Sequence, residues 1–141
     1  MNSCIFCDIL QGKLASSVVY RDELCCAFMD IQPVNPGHVL VIPRRHVQNI
    51  YTLDEATAAA VFQLTVRVAQ AVKIALRADG INLYQSNEHA AGQEVFHFHM
   101  HVVARYAGDR DRVRVFMQPN LPPRAELDRL AAEIRANLST T

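Results

Sequence analysis

An antiparallel α+β domain is the fold class this sequence predicts. Three observations point to it: short β-type runs joined by turns, one long amphipathic stretch, and a second one near the C-terminus. Ser17-Val18-Val19-Tyr20 and Leu24-Cys25-Cys26-Ala27-Phe28-Met29 flank the turn-like Arg21-Asp22-Glu23 and read as a hairpin. Pro33-Val34-Asn35-Pro36-Gly37 is a loop, because two prolines and a glycine forbid regular pairing. His38 to Ile42 then runs as a strand into Pro43, which should end it. The long helix is expected from Asp54 to about Arg77, with Thr52 as N-cap, Glu55 completing a capping box, and Gly80 punctuating its end. Its buried stripe is Val61, Leu64, Val68, Ala71 and Ala75. Ile81–Tyr84 and Val95–Val103 follow as strands. The stretch from Tyr106 to Pro123 reads as irregular, with a short strand at Arg112–Phe116. A final helix from about Arg124 to Leu138 turns Leu127, Leu130, Ala131, Ile134 and Leu138 inward. No repeat or linker divides residues 1–141, so one domain is expected.

Composition narrows the class further. The chain has 141 residues, 50% hydrophobic and 20% charged, which excludes intrinsic disorder. Its 14 Lys+Arg balance 14 Asp+Glu, which argues against affinity for nucleic acid built on phosphate charge. No run approaches eighteen consecutive apolar residues, and the N-terminus has no secretory pattern. The expectation is a cytoplasmic protein, without membrane or nucleic-acid partners, whose four cysteines are reduced thiols.

Half of the six histidines fall in His97-Phe98-His99-Met100-His101. Alternation puts His97, His99 and His101 on one face of a strand, where each buried imidazole needs a polar partner. Spacing alone leaves two chemistries open: a metal site, or nucleophilic catalysis in which one neutral imidazole attacks while its neighbours handle phosphate and protons. The preceding Ala90-Ala91-Gly92-Gln93-Glu94-Val95 favours catalysis. Small residues let backbone N–H groups approach an anion, and Gln93 offers a side-chain dipole.

Residues 97–103 match His-φ-His-φ-His-φ-φ, with φ apolar, at every position, and here the sequence resembles the histidine triad (HIT) superfamily. Cys4-Ile5-Phe6-Cys7-Asp8-Ile9, Phe28-Met29-Asp30-Ile31, Pro36-Gly37-His38 through His46, and Gly92 to Phe96 resemble further family segments, so the likeness covers nearly the whole chain. It implies a HIT fold, an antiparallel sheet with one long and one C-terminal helix, and a homodimer formed through the long helix and a neighbouring strand. It also implies a hydrolase or transferase acting at the α-phosphate of a purine nucleotide, with phosphoramidates and dinucleoside polyphosphates as leading substrates. By that likeness His99 attacks phosphorus to form a covalent nucleotidyl-histidine, His101 contacts phosphate, and His97 and His38 orient and polarise the site. Asp30 would accept from the ribose hydroxyls, and Phe6, Ile9, Phe28 and Ile31 would form the base pocket.

Departures from the family pattern mark the phosphate loop. Ser86 stands where relatives often carry Asn or Gln, so either Ser86 or Asn87 would reach phosphate. Glu88-His89 replaces a stretch that often holds glycine. Glu94 should turn its carboxylate away and leave its backbone N–H as a donor beside Gly92, Gln93 and Val95.

Cys4-x-x-Cys7 alone is half a zinc ligand set. Some HIT relatives pair such a motif with two histidines, and His46 and His97 occupy those positions here. The resemblance therefore implies a closed Cys4, Cys7, His46, His97 site holding structural zinc, with no organic cofactor. Two rivals stand beside the enzyme: a nucleotide-binding regulatory module with little turnover, and a metal-binding protein that uses the triad as ligands.

Overall fold

The computed structural model describes residues 4–110 and 121–139. In chain order these form α1 (Ile5–Leu10), β1 (Val18–Arg21), β2 (Cys25–Met29), β3 (Val39–Pro43), α2 (Glu55–Ala75), β4 (Gly80–Tyr84), β5 (Met100–Arg105) and α3 (Arg124–Ala136). Single 3-10 turns occupy Ile50–Thr52 and His89–Ala91. The strands make one sheet in the order β1-β2-β3-β5-β4, every neighbouring pair antiparallel. The short strand expected at Arg112–Phe116 lies outside the described residues.

The central strands are apolar at every position because both faces of the sheet are covered. Cys25, Ala27 and Met29 of β2 and Val39 and Val41 of β3 pack with Val61, Leu64 and Val68 of α2 and with Leu127, Leu130 and Ile134 of α3. The alternate residues Cys26, Phe28, Leu40 and Ile42 point to the opposite face and meet Phe6 and Ile9 of α1. The adjacent cysteines Cys25 and Cys26 thus join different cores, as period-two alternation requires. On β5, Val102 and Ala104 join the helix-side core. His101 stands opposite Leu40, so its side chain belongs to the α1 face. The functional face is therefore the one the two long helices leave to α1.

Several boundaries differ from expectation for identifiable reasons. Asp54, not Thr52, caps α2: its carboxylate accepts from the backbone N–H and hydroxyl of Thr57 at 2.9 and 2.8 Å. Thr52 belongs to the preceding 3-10 turn. The helix ends at Ala75, the chain turns through Arg77 at φ 49°, and Gly80 opens β4. The strand expected from Val95 begins only at Met100, which pairs with Val41. Upstream of it the backbone is drawn off the sheet, Phe98 N–H donating to Val47 O at 2.6 Å.

Asp109, within the stretch that reads as irregular in sequence, is buried. Arg105 grips it with two N–H groups at 2.9 and 2.7 Å, and Asn35 Nδ2 donates to it at 2.8 Å. Asn35 also donates to Ala104 O, so this network fastens the 33–37 loop to the end of β5. Gly37 makes the same junction possible. It sits at φ +89°, and a Cβ there would fall 2.0 Å from Leu76 Cδ1.

At 21 residues and a mean hydropathy of 1.3, α2 is long and apolar enough by composition to cross a membrane. Its Val61, Leu64, Val68, Ala71 and Val72 are instead buried on the sheet, the packing of a core helix.

Candidate active site

The histidines gather on the α1 face, where each ring is held by a different part of the fold. Phe6 of α1 meets His97 and His99 edge-on, with ring centroids 5.9 and 5.2 Å away. His99 and His101 lie 4.8 Å apart, and His38, one residue before β3, comes within 5.1 Å of His101. His38, His97 and His99 are all buried.

Hydrogen-bond partners assign the tautomers, because a ring nitrogen facing an N–H must accept and one facing a carbonyl must donate. Val34 N–H donates to His38 Nδ1 at 3.0 Å, so His38 carries its proton on Nε2. That Nε2–H lies 2.9 Å from His101 Nδ1, with Asp30 Oδ2 farther off at 3.5 Å. His101 therefore accepts at Nδ1 and keeps Nε2–H as its free donor. His99 Nδ1–H donates to His97 O at 2.6 Å, which puts the lone pair on His99 Nε2, with no partner among the described residues. His97 Nε2–H donates to Pro43 O at 2.8 Å, so the lone pair of His97 is on Nδ1.

Burial also keeps these rings uncharged. It is the main cause that holds His99 and His38 below the ordinary histidine value, lowers His97 to about 4 and lowers His101 to about 2. Neighbouring imidazoles add to the effect on His38, His97 and His101. A neutral His99 with a free Nε2 lone pair is a competent nucleophile near pH 7.

The same tautomers separate a metal group from the triad. Cys4 Sγ and Cys7 Sγ lie 3.5 and 3.6 Å from His97 Nδ1, and Cys7 Sγ lies 3.4 Å from His46 Nδ1. All four ligand atoms fall within 4.8 Å of one another. A tetrahedral zinc with Zn–S about 2.3 Å and Zn–N about 2.0–2.1 Å spaces nitrogen and sulfur about 3.6 Å apart, so the group fits. The Pro43 carbonyl on His97 Nε2–H is the outer partner that would fix the ligand tautomer. Asp30, His38 and His101 also converge. That trio does not suit a cation, because His38 Nε2 must keep its proton while Nδ1 accepts from Val34. The triad reads as metal ligands only at His97.

The phosphate loop is organised from within. Gln93 is buried; its Oε1 accepts from Glu88 N–H at 2.7 Å and its Nε2 donates to Gln48 O and Val95 O at 2.6 and 3.1 Å. Its backbone N–H goes to Glu88 O, and that of Gly92 to His89 O. The side-chain dipole of Gln93 is thus spent on the loop, not held ready for an anion. Asn87 is committed likewise: Oδ1 accepts from Ile50 N–H at 2.8 Å, and its amide pairs with Gln85. Among the described residues, the backbone N–H groups of Glu94 and Val95 and the Ser86 hydroxyl have no such commitment. Glu88 holds φ 71° and is kept there by these bonds.

On the opposite side of the triad Phe6 and Phe28 pack edge-to-face at 5.3 Å, both buried with Ile9, while Ile31 is exposed. Asp30 follows β2; its Oδ1 accepts from Gln32 N–H at 2.8 Å. Sequence reasoning missed Val34 and Pro43, whose backbone groups set two tautomers, and Tyr84, which stacks on His101. Backbone roles leave no trace in residue type, and Tyr84 needs the strand register to be seen.

Fold and site together define a histidine-triad protein, and comparison with known proteins agrees. The HIT domain family matches residues 11–108, and the chain belongs to it. Protein hit of Bacillus subtilis is 41% identical over 104 residues, 74% of this chain and 72% of that protein. Adenylylsulfatase HINT3 of Arabidopsis thaliana is 32% identical over 108 residues, 77% and 55% of the two chains. A HIT-like protein from Bartonella henselae superposes with a TM-score of 0.87 at 37% identity over 98% of each chain. A zinc-bound histidine triad family protein from Mycobacterium smegmatis does so with 0.83 at 34% identity, covering 96% and 92%. The family is one of nucleotide-binding proteins of the hydrolase or transferase kind.

Depressed histidine pKa values have a consequence for stability. Below about pH 6.5 the unfolded chain binds protons that folded His97, His99 and His101 refuse, so stability is full above that value and falls as pH drops toward the folded pKa values. Each histidine costs up to about 1.4 kcal/mol per pH unit inside that window. Urea unfolding of chelator-treated protein should show stability declining from pH 7 to pH 5; a flat profile would contradict the buried neutral rings.

Proposed function

We propose that this protein hydrolyses nucleoside phosphoramidates or dinucleoside polyphosphates at the α-phosphorus through a nucleotidyl-His99 intermediate. The observation that supports this reading most directly is the His99 Nδ1–H bond to His97 O, which frees Nε2 on a buried, neutral ring. In this reading the Nε2 lone pair forms the bond to phosphorus while the bond to the leaving amine or phosphate breaks. Water then cleaves the P–N bond to His99 and releases the nucleotide. His101 Nε2–H, the Glu94 and Val95 N–H groups and the Ser86 hydroxyl are the donors available to the phosphoryl oxygens. Asp30 retains lone pairs for the ribose hydroxyls, and Phe6, Ile9, Phe28 and Ile31 border the base. The adenylylsulfatase activity named for the Arabidopsis relative is also chemistry on an adenylyl group.

Replacing His99 with Ala should abolish turnover of an adenosine phosphoramidate and of diadenosine tri- and tetraphosphate, and leave AMP affinity within about tenfold. More than a few per cent of wild-type kcat in that variant removes His99 from the nucleophile role. Tight nucleotide binding by wild type with no turnover of any of these substrates would favour a regulatory binding module.

Zinc at Cys4, Cys7, His46 and His97 would be structural, since four protein ligands leave no position for water or substrate. Bound there, it would tie the N-terminal segment to the chain bearing the triad. Elemental analysis of untagged protein should find about one zinc per chain. The Cys4→Ser, Cys7→Ser double variant should lose it and melt earlier, and its folded fraction should keep kcat within about tenfold. Activity lost as fully as in His99→Ala would make the metal catalytic.

A homodimer is part of the same reading. Phe62, Val66 and Ile74 lie exposed on α2, and Leu83 on the edge strand β4. Light scattering should give twice the 15.8 kDa chain mass, falling to the monomer in Phe62→Glu. A monomeric wild type sinks this part.

A further inference from the structure

Tyr84 is the last residue of β4 and stands directly opposite His101 in the β4–β5 register. Its ring lies on the His101 imidazole, with centroids 4.0 Å apart and planes 11° from parallel. No other ring pair in the site has this geometry among the described residues. Phe6 meets His99 at 89°, His46 meets His97 at 88°, and His99 and His38 meet His101 at 60° and 52°.

The difference matters because of what otherwise holds His101. Among the described residues its one ring hydrogen bond is from His38 to Nδ1. A bond at one atom leaves the terminal torsion of a histidine soft, since that torsion has broad wells instead of three staggered ones. A ring pressed face-to-face removes that freedom, because turning the imidazole would break the stacked contact or drive its edge into the phenol. The cross-strand backbone bonds hold the two Cα atoms, so the clamp sits on a rigid element.

We propose that Tyr84 is a positioning residue whose ring face holds the His101 imidazole in the plane that presents Nε2–H to the substrate phosphate. The contribution belongs to the aromatic face and not to the hydroxyl. It rests on the hydrolase reading above, to which it adds a residue that does not itself touch the reacting atoms.

The test uses full-length protein and the variants Tyr84→Phe and Tyr84→Leu, with Tyr84→Val as the β-branched alternative should Leu fail to fold. The first readout is the shielding of the carbon-bound ring protons of His101 in aromatic NMR, which is independent of turnover. Wild type and Tyr84→Phe should show the upfield displacement of a stacked ring, and the aliphatic variants should lose it. The second readout is kinetic, with the adenosine phosphoramidate as substrate. Tyr84→Leu should lower kcat roughly tenfold with KM within about threefold, whereas Tyr84→Phe should stay within about twofold of wild type. Unchanged kcat and unchanged His101 resonances in Tyr84→Leu would overturn the proposal. So would a Tyr84→Phe variant as impaired as Tyr84→Leu, which would transfer the role to the hydroxyl. If wild type turned over no substrate, the hydrolase reading would fail, and the His101 resonances alone would still decide whether the clamp exists.

Discussion

One hydrogen bond, from Val34 N–H to His38 Nδ1, sets the protonation pattern on which the His38–His101 half of the site depends. It forces the His38 proton onto Nε2, which makes His101 Nδ1 an acceptor and turns the remaining N–H of His101 outward. The bond comes from a loop with two prolines, not from a regular element, so its geometry has to be imposed from outside. Asn35 donates to Ala104 O and Asp109, Asp109 is clamped by Arg105, and Gly37 packs on Leu76. A chain of polar contacts from the end of β5 thus reaches a backbone N–H more than sixty residues away in sequence. The Asp109 carboxylate is held well below the usual carboxylate range, first by Arg105, and so stays charged near neutral pH.

The sheet divides two tasks that compete for the same residues. One face is a dry core of β-branched and small side chains against α2 and α3, which supplies rigidity. The other carries imidazoles whose burial would be costly without partners, and each of the buried rings has one. That burial does more than close the core. It favours the neutral form of His99, the form that the proposed attack on phosphorus requires. His97 stands where the two needs meet: its Nε2–H is tied to the Pro43 carbonyl and its Nδ1 faces the thiols of Cys4 and Cys7.

Much of this could be read in advance because it depends on periodicity. Alternation along 97–101 put the three imidazoles on one side, and the four-and-three steps of α2 and α3 marked the stripes that pack on the sheet. The Cys4, Cys7, His46, His97 grouping came from resemblance and is met by the geometry of those four ligand atoms. What escaped was decided by three-dimensional neighbours. Asp54 rather than Thr52 caps α2 because Thr52 closes a 3-10 turn over Ile50–Thr52. His97 and His99 lie outside the ladder because Phe98 bonds to Val47 instead of to β3. Gln93 looks in sequence like a ligand for phosphate, yet its amide is consumed by Gln48, Val95 and Glu88. Tyr84 acquires meaning only once β4 is paired with β5 in register.

Fixed hydrogen bonds set which ring nitrogen of each imidazole keeps its lone pair, and with it which histidine could attack in the proposed reaction. Long-range nitrogen–proton correlation spectra of the six imidazoles near pH 7 test it most directly. His99 is expected in the Nδ1–H form, with His38, His97 and His101 in the Nε2–H form, all neutral. His99 protonated on Nε2, or carrying a charge at that pH, would overturn this, because the lone pair that the proposed attack requires would then not be there.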